Sequence, residues 1–281
     1  MAFAFVQQVK STPATSPAAV AYGLNNVGGN LLVAILAWTN TANFTSFADS
    51  QGNIWTQNGA EFSPGNPNIK MRMFSAPNCN AGANTVTLTI SANVQMWIYI
   101  TEYSGGALSN PFDATAGLGT AASGGNANLS IGPITVSQNG ELIVTGGPSV
   151  SGAMTLTPGG VYNGRQTTNF AGMDNLNASA GSQSATGTWS SGITTWAAMM
   201  GAFFPASAVY SEPDCRAVTA ITPNSSRVVQ GTLIYDVQKA ESRTAGAPVD
   251  SRTAGAPVDS RVAGQAPQNS RTPGTFGPGL N

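Results

Sequence analysis

The chain has 281 residues, 41% of them hydrophobic and only 8% charged, with a formal net charge of −1 and no histidine. That size supports a packed core, while charge far below the roughly 25% of an average globular protein leaves a surface of neutral Gly, Ser, Thr, Asn and Ala. The balance offers no basic field to a phosphate backbone, which excludes nucleic-acid binding as the main activity. The missing histidine removes Ser-His-Asp and Cys-His chemistry, histidine metal sites and the commonest general base.

In chain order, Met1 to Val9 place their apolar residues ahead of the first positive charge, Lys10, and so do not read as a secretion leader. The longest apolar run, residues 31–38, is too short for a bilayer, which takes about 20 residues. No membrane insertion is expected. Strand signals fall at residues 3–9, 31–38, 69–74, 85–90 and 96–103, each bounded by Gly, Pro, Asn or Ser. Residues 85–90 alternate strictly, so Val86, Leu88 and Ile90 share one face and three threonines the other. The same period places Lys70 and Arg72 outward, which would also discourage unwanted pairing were this an edge strand. Residues 31–38 and 96–103 are apolar on both faces and read as central strands.

A weak duplication follows: Gly29-Asn30-Leu31-Leu32-Val33 matches Gly140-Glu141-Leu142-Ile143-Val144. Each opens a half, and the halves end alike, on Trp97-Ile98-Tyr99-Ile100 and on Trp196 with Gly201-Ala202-Phe203-Phe204. The expected fold is all-β: a large antiparallel β-sandwich, jelly-roll-like, of roughly a dozen strands in two quasi-repeated halves over residues 1–206.

Beyond residue 206 charged residues rise from 10 of 206 to 13 of 75. Residues 207–239 read as a connector in which 228–237 supply a possible last strand or hairpin. Residues 240–281 form an extended arm, where the nine-residue unit 242–250 recurs unchanged at 251–259 and then degenerates. Proline blocks a continuing ladder and the unit is too short for a solenoid. As a polyproline-like segment at about 3.1 Å per residue, forty such residues reach on the order of 120 Å. Arg243, Arg252, Arg261 and Arg271 recur as planar five-donor forks that suit carboxylates and carbonyls on a partner. Pro248 and Pro257 lower the entropic cost of ordering the arm there. The alternative is a linker with solvated charges.

Chemistry-bearing residues are few. Six carboxylates, Asp49, Glu61, Glu102, Asp113, Glu141 and Asp174, serve the sandwich, but no two sit at a spacing that pairs them on one strand. Glu102 reads as a solvated strand-end carboxylate, with burial and a raised pKa as its functional alternative. Asp49-Ser50-Gln51-Gly52-Asn53 has too few acidic groups for a calcium loop and reads as a connecting turn. No catalytic residue, metal or cofactor is expected. Trp55 and Trp189 lie near loops, where a ring stacks on sugar or packs inward. Cys79 and Cys215 read as separate thiols.

The stretches Gly29 to Val33, Asp49 to Trp55, Ala83 to Leu88 and Glu102-Tyr103-Ser104-Gly105 resemble a β-sandwich module of uncharacterised bacterial surface and phage virion proteins. The resemblance spans most of residues 1–206 and carries no catalytic residues. It implies a non-enzymatic virion structural protein, a capsid decoration or an appendage or fibre subunit. The arm would bind copies of the protein, as a homo-oligomer, or other virion or filament proteins. The alternative is a carbohydrate-binding module or adhesin at a cell or phage surface, binding glycan through Trp55 and Trp189. A histidine-free glycoside hydrolase is the third reading.

Overall fold

The structure, a computed structural model, describes residues 2–11, 14–151, 154–190 and 195–207. The arm and all but the first residue of the connector lie outside the described residues. Sixteen strands and no helix build the described part. The first half holds β1 (Ala4–Lys10), β2 (Ala18–Ala21), β3 (Leu31–Thr39), β4 (Phe44–Asp49), β5 (Thr56–Phe62), β6 (Ile69–Ala76), β7 (Thr85–Ile90) and β8 (Met96–Ser104). The second holds β9 (Leu118–Ser123), β10 (Asn128–Val136), β11 (Glu141–Gly146), β12 (Leu156–Pro158), β13 (Asn163–Gln166), β14 (Gly172–Ala178), β15 (Gly181–Trp189) and β16 (Trp196–Phe203).

The first half is a five-stranded sheet, β1-β8-β3-β6-β5, packed on a three-stranded sheet, β2-β7-β4. The second repeats the same order eight strands later, β9-β16-β11-β14-β13 and β10-β15-β12. Within each half the chain alternates between the two sheets apart from one step, β5–β6 or β13–β14, and the first and last strands of the half are neighbours, which is jelly-roll wrapping. The duplicated pentapeptide sits at the same corner each time. Gly29 and Gly140 have φ of 89° and 84°, a turn that glycine adopts without steric cost, and each is followed by the central strand of its sheet.

Three cores stack between four layers. On β3, Leu32, Ala34, Leu36 and Trp38 face Val86, Leu88 and Ile90 of β7, as the alternating pattern requires. The other face of β3, Leu31, Val33, Ile35 and Ala37, joins Leu142, Val144, Ala197, Met199 and Phe203 of the second half. A third core closes the second sandwich. The two five-stranded sheets therefore meet face to face. Their orders run in opposite senses, with β1 against β13, β6 against β16 and β5 against β9, so a pseudo-twofold axis relates the halves.

The five strongest strand signals correspond to β1, β3, β6, β7 and β8. The dozen strands expected are sixteen, because β2, β5 and β13 carry little apolar pattern. The strand of Lys70 and Arg72 is not an edge strand, since β6 lies between β3 and β5. Arg72 is half-buried, 4.3 Å above the Phe44 ring, and its Nε donates to Glu61 at 2.9 Å.

Candidate binding cleft and buried carboxylates

Glu102, Asp113, Glu141 and Asp174 are fully buried, and the fold already uses each of them. Glu102 is not solvated. It accepts from Gln7 Nε2 at 2.6 Å, Asn26 Nδ2 at 2.7 Å, the Val27 amide at 2.8 Å and Asn30 Nδ2 at 2.7 Å. These charge-assisted bonds fasten β8 to β1 and to the loop before β3. Asp49 accepts from the Asn53 amide and side chain, from Asn84 Nδ2 and from Trp55 Nε1, closing its turn on itself. Among the described residues no group of three metal-ligating side chains converges.

Asp113 and Glu141 are neighbours. Asp113 lies on the connector between the halves and accepts from the amides of Thr115, Ala116 and Ser137. Burial works to raise its pKa, but these donors outweigh it and hold the carboxyl below its ordinary 3.8. Burial, followed by the charge of Asp113, pushes Glu141 above its ordinary 4.5. Glu141 Oε1 accepts from Ser137 Oγ and the Gln138 amide, whereas its buried Oε2 has no donor.

The tryptophans expected near loops are not brought together. Trp189 is 2% exposed in the third core, and Trp55 packs edge-on to Phe47 at 4.8 Å in the second. Trp38, Trp97 and Trp196 are buried, as their apolar strands imply. Cys79 is a free, buried thiol that donates to the Val27 carbonyl at 3.2 Å; burial, then the Glu102 charge, pushes its pKa up to about 11. Arg243, Arg252, Arg261, Arg271, Pro248, Pro257 and Cys215 lie outside the described residues.

The seam between the halves carries the site that residue-by-residue reading missed. On one side, Arg165 Nε and Nη2 grip Asp174 at 2.7 and 3.0 Å, Tyr103 donates to the same carboxylate at 3.1 Å, and the guanidinium lies 4.0 Å above Phe5. Arg165 and Phe5 belong to β13 and β1, so this network ties both halves. The register places Ser75 opposite Val33 as it places Asp174 opposite Val144, and pairs Leu31 with Tyr103 as it pairs Leu142 with Phe203. Asn58 follows the partner of Ser75 by two residues, as Arg165 follows that of Asp174. The Arg–Asp–Tyr set of one seam is thus Asn58, Ser75 and Phe203 at the other.

Asn58 and Ser75 of that set border a cleft of about 520 Å³ between residues 54–58 and residues 108–114, which link the halves. Ile54 and Leu108, 81% and 60% exposed, flank its mouth, and Pro77, Pro111 and Phe112 line it. No charged side chain contributes to the lining. Ser75 Oγ donates to Asn58 Oδ1 at 3.1 Å, while Asn58 Nδ2, on a residue 3% exposed, has no partner. A mostly apolar cleft with no charged lining suits a neutral ligand. No family model, curated protein or solved structure matches this chain.

Proposed function

We propose that the protein is a non-enzymatic virion structural subunit, a capsid decoration or an appendage or fibre component. It forms a homo-oligomer in which the C-terminal arm ties one copy to the next. The observation that carries this reading is the pair of dyad-related jelly rolls, since the double-sheet jelly roll is an architecture that viral capsid domains use. A second support is the use made of the carboxylates. Glu102, Asp49, Asp174 and Asp113 spend their acceptors on holding strands and connectors together, which is the work of a scaffold. The carbohydrate-binding or adhesin alternative has less support, because Trp189 is buried and Trp55 is tied to Asp49.

Immunogold electron microscopy of purified particles or filaments, with an antibody raised against the intact chain, tests the reading. Regular gold labelling on the particle surface is expected. A chain recovered only as free monomer, with no labelled particle or filament, would overturn it.

A further inference from the structure

Two buried carboxyl groups meet where the halves are linked, and no cation accompanies them. Asp113 and Glu141 are fully buried, and Ser137 bridges them: its amide donates to Asp113 Oδ2 at 3.1 Å and its Oγ to Glu141 Oε1 at 3.1 Å. Among the described residues the basic side chains are Lys10, Lys70, Arg72 and Arg165. Lys70 and Arg72 face Glu61, Arg165 grips Asp174, and Lys10 lies on β1 opposite Tyr99, so none of them serves this pair. Across the sheet Glu141 stands opposite Ala178 of β14, and its neighbour Leu142 opposite Phe203 of β16, which leaves Asp113 as the charged group it meets.

Two adjacent buried negative charges with no cation repel each other in a medium that screens them poorly, and one proton held between them removes the repulsion. The hydrogen bonds show which group carries it. Asp113 accepts from three amides, as an ionised carboxylate does, whereas Glu141 Oε2 is buried without any donor. Protonated, that oxygen becomes a donor, and Asp113 is the acceptor beside it. The place matters, because Phe112 and Ala114, on either side of Asp113, line the cleft.

We propose that Glu141 carries a proton on Oε2 and donates it to Asp113, and that this single proton is a pH-sensitive latch fixing residues 112–116, and with them one wall of the cleft, to the turn before β11. Because burial and the Asp113 charge push Glu141 above its ordinary 4.5, the latch is closed at pH 4.5 and opens as pH rises through the point at which Glu141 ionises. Asp113, held below its ordinary 3.8, stays an acceptor throughout that range.

The test uses the full chain. Carboxyl-carbon NMR should show Glu141 ionising above pH 4.5 and Asp113 below pH 3.8. Hydrogen-exchange protection of the Thr115, Ala116 and Ser137 amides, corrected for the intrinsic pH dependence of exchange, should fall by about tenfold for each pH unit between 4.5 and the Glu141 midpoint. The Ala114 methyl signal should shift with the same midpoint. Glu141→Gln supplies a permanent donor, so it should keep the protection and lose its pH dependence. A Glu141 that ionises at or below 4.5 would overturn the proposal, as would the same pH dependence of protection in the native and Glu141→Gln chains. If Glu141 ionises late but the Ala114 methyl signal does not follow it, the shared proton stands and its hold on the cleft wall is refuted.

Discussion

Glu102 and Glu141 occupy the same corner of the two sandwiches and meet opposite electrostatics there. Glu102 stands opposite Leu32 on β8, and its equivalent opposite Ile143 is Ala202. In the second half the carboxylate has moved to the position of Asn30, the residue that donates to Glu102 in the first. Four donors satisfy Glu102, whereas Glu141 faces Asp113 with a bare Oε2. Because folding raises the Glu141 pKa, the native state holds more protons than the unfolded chain above pH 4.5, and stability falls as pH rises toward the folded value. Asp113, held low, acts in the opposite sense: its contribution is present above 3.8 and is lost as pH falls below. Glu141→Gln keeps the Oε1 acceptor and turns the bare oxygen into a donor toward Asp113. It should raise Tm at pH 7.5 by about 2 to 4 °C, the effect of about 1 kcal/mol. At pH 4 it should change little. An equal gain at both values, or a loss at pH 7.5, would show that the carboxyl pair is not the cause.

The strands legible in the sequence are those whose apolar residues recur at a clear period. Alternation in Thr85 to Ile90 reflects a strand with one face on a core, and the unbroken apolar run of Leu31 to Trp38 reflects two cores at once. By contrast β13, Asn-Gly-Arg-Gln, is held by its place against β1 and by the Asp174 ion pair, a tertiary cause that no local pattern reports. The free Asn58 amide was hidden for the same reason, since β5 reads Thr-Gln-Asn-Gly-Ala-Glu-Phe and nothing in that string announces a buried donor. Glycine at the seam was also silent. A Cβ on Gly172 of β14 would stand 2.5 Å from the Tyr99 ring, which is buried and tilted against Phe170 at 5.1 Å. The ring has nowhere to go, so Gly172→Ala should cost about 1–3 kcal/mol. Thermal melts of Gly172→Ala, Tyr99→Leu and the double variant test this: the two losses should be strongly non-additive, because the smaller side chain makes room for the methyl. Additive losses would place the strain elsewhere.

At the scale of the molecule the pseudo-twofold makes this chain a fused counterpart of an isologous dimer. Each jelly roll closes one core with its own three-stranded sheet and leaves the opposite face of its five-stranded sheet to the other half. For the first half that face includes Val33, Ile35, Met71, Met73, Trp97 and Tyr99, all buried in the intact protein. Exposed together they would form an apolar patch larger than soluble monomers carry. Residues 1–108 alone are therefore expected to self-associate, either through this face or by aggregation, while the intact chain melts in a single transition because neither half is complete without the other. The charged seam argues against a well-ordered dimer of first halves. The counterparts of Arg165 and Asp174 are Asn58 and Ser75, so a second copy would bring Phe5 no guanidinium and Tyr103 no carboxylate. Sedimentation of residues 1–108, beside calorimetry of the intact chain, tests the argument. A stable monomeric first half that binds no hydrophobic dye, or two separated transitions in the intact protein, would mean that the halves are independent domains and that the shared core adds little to either.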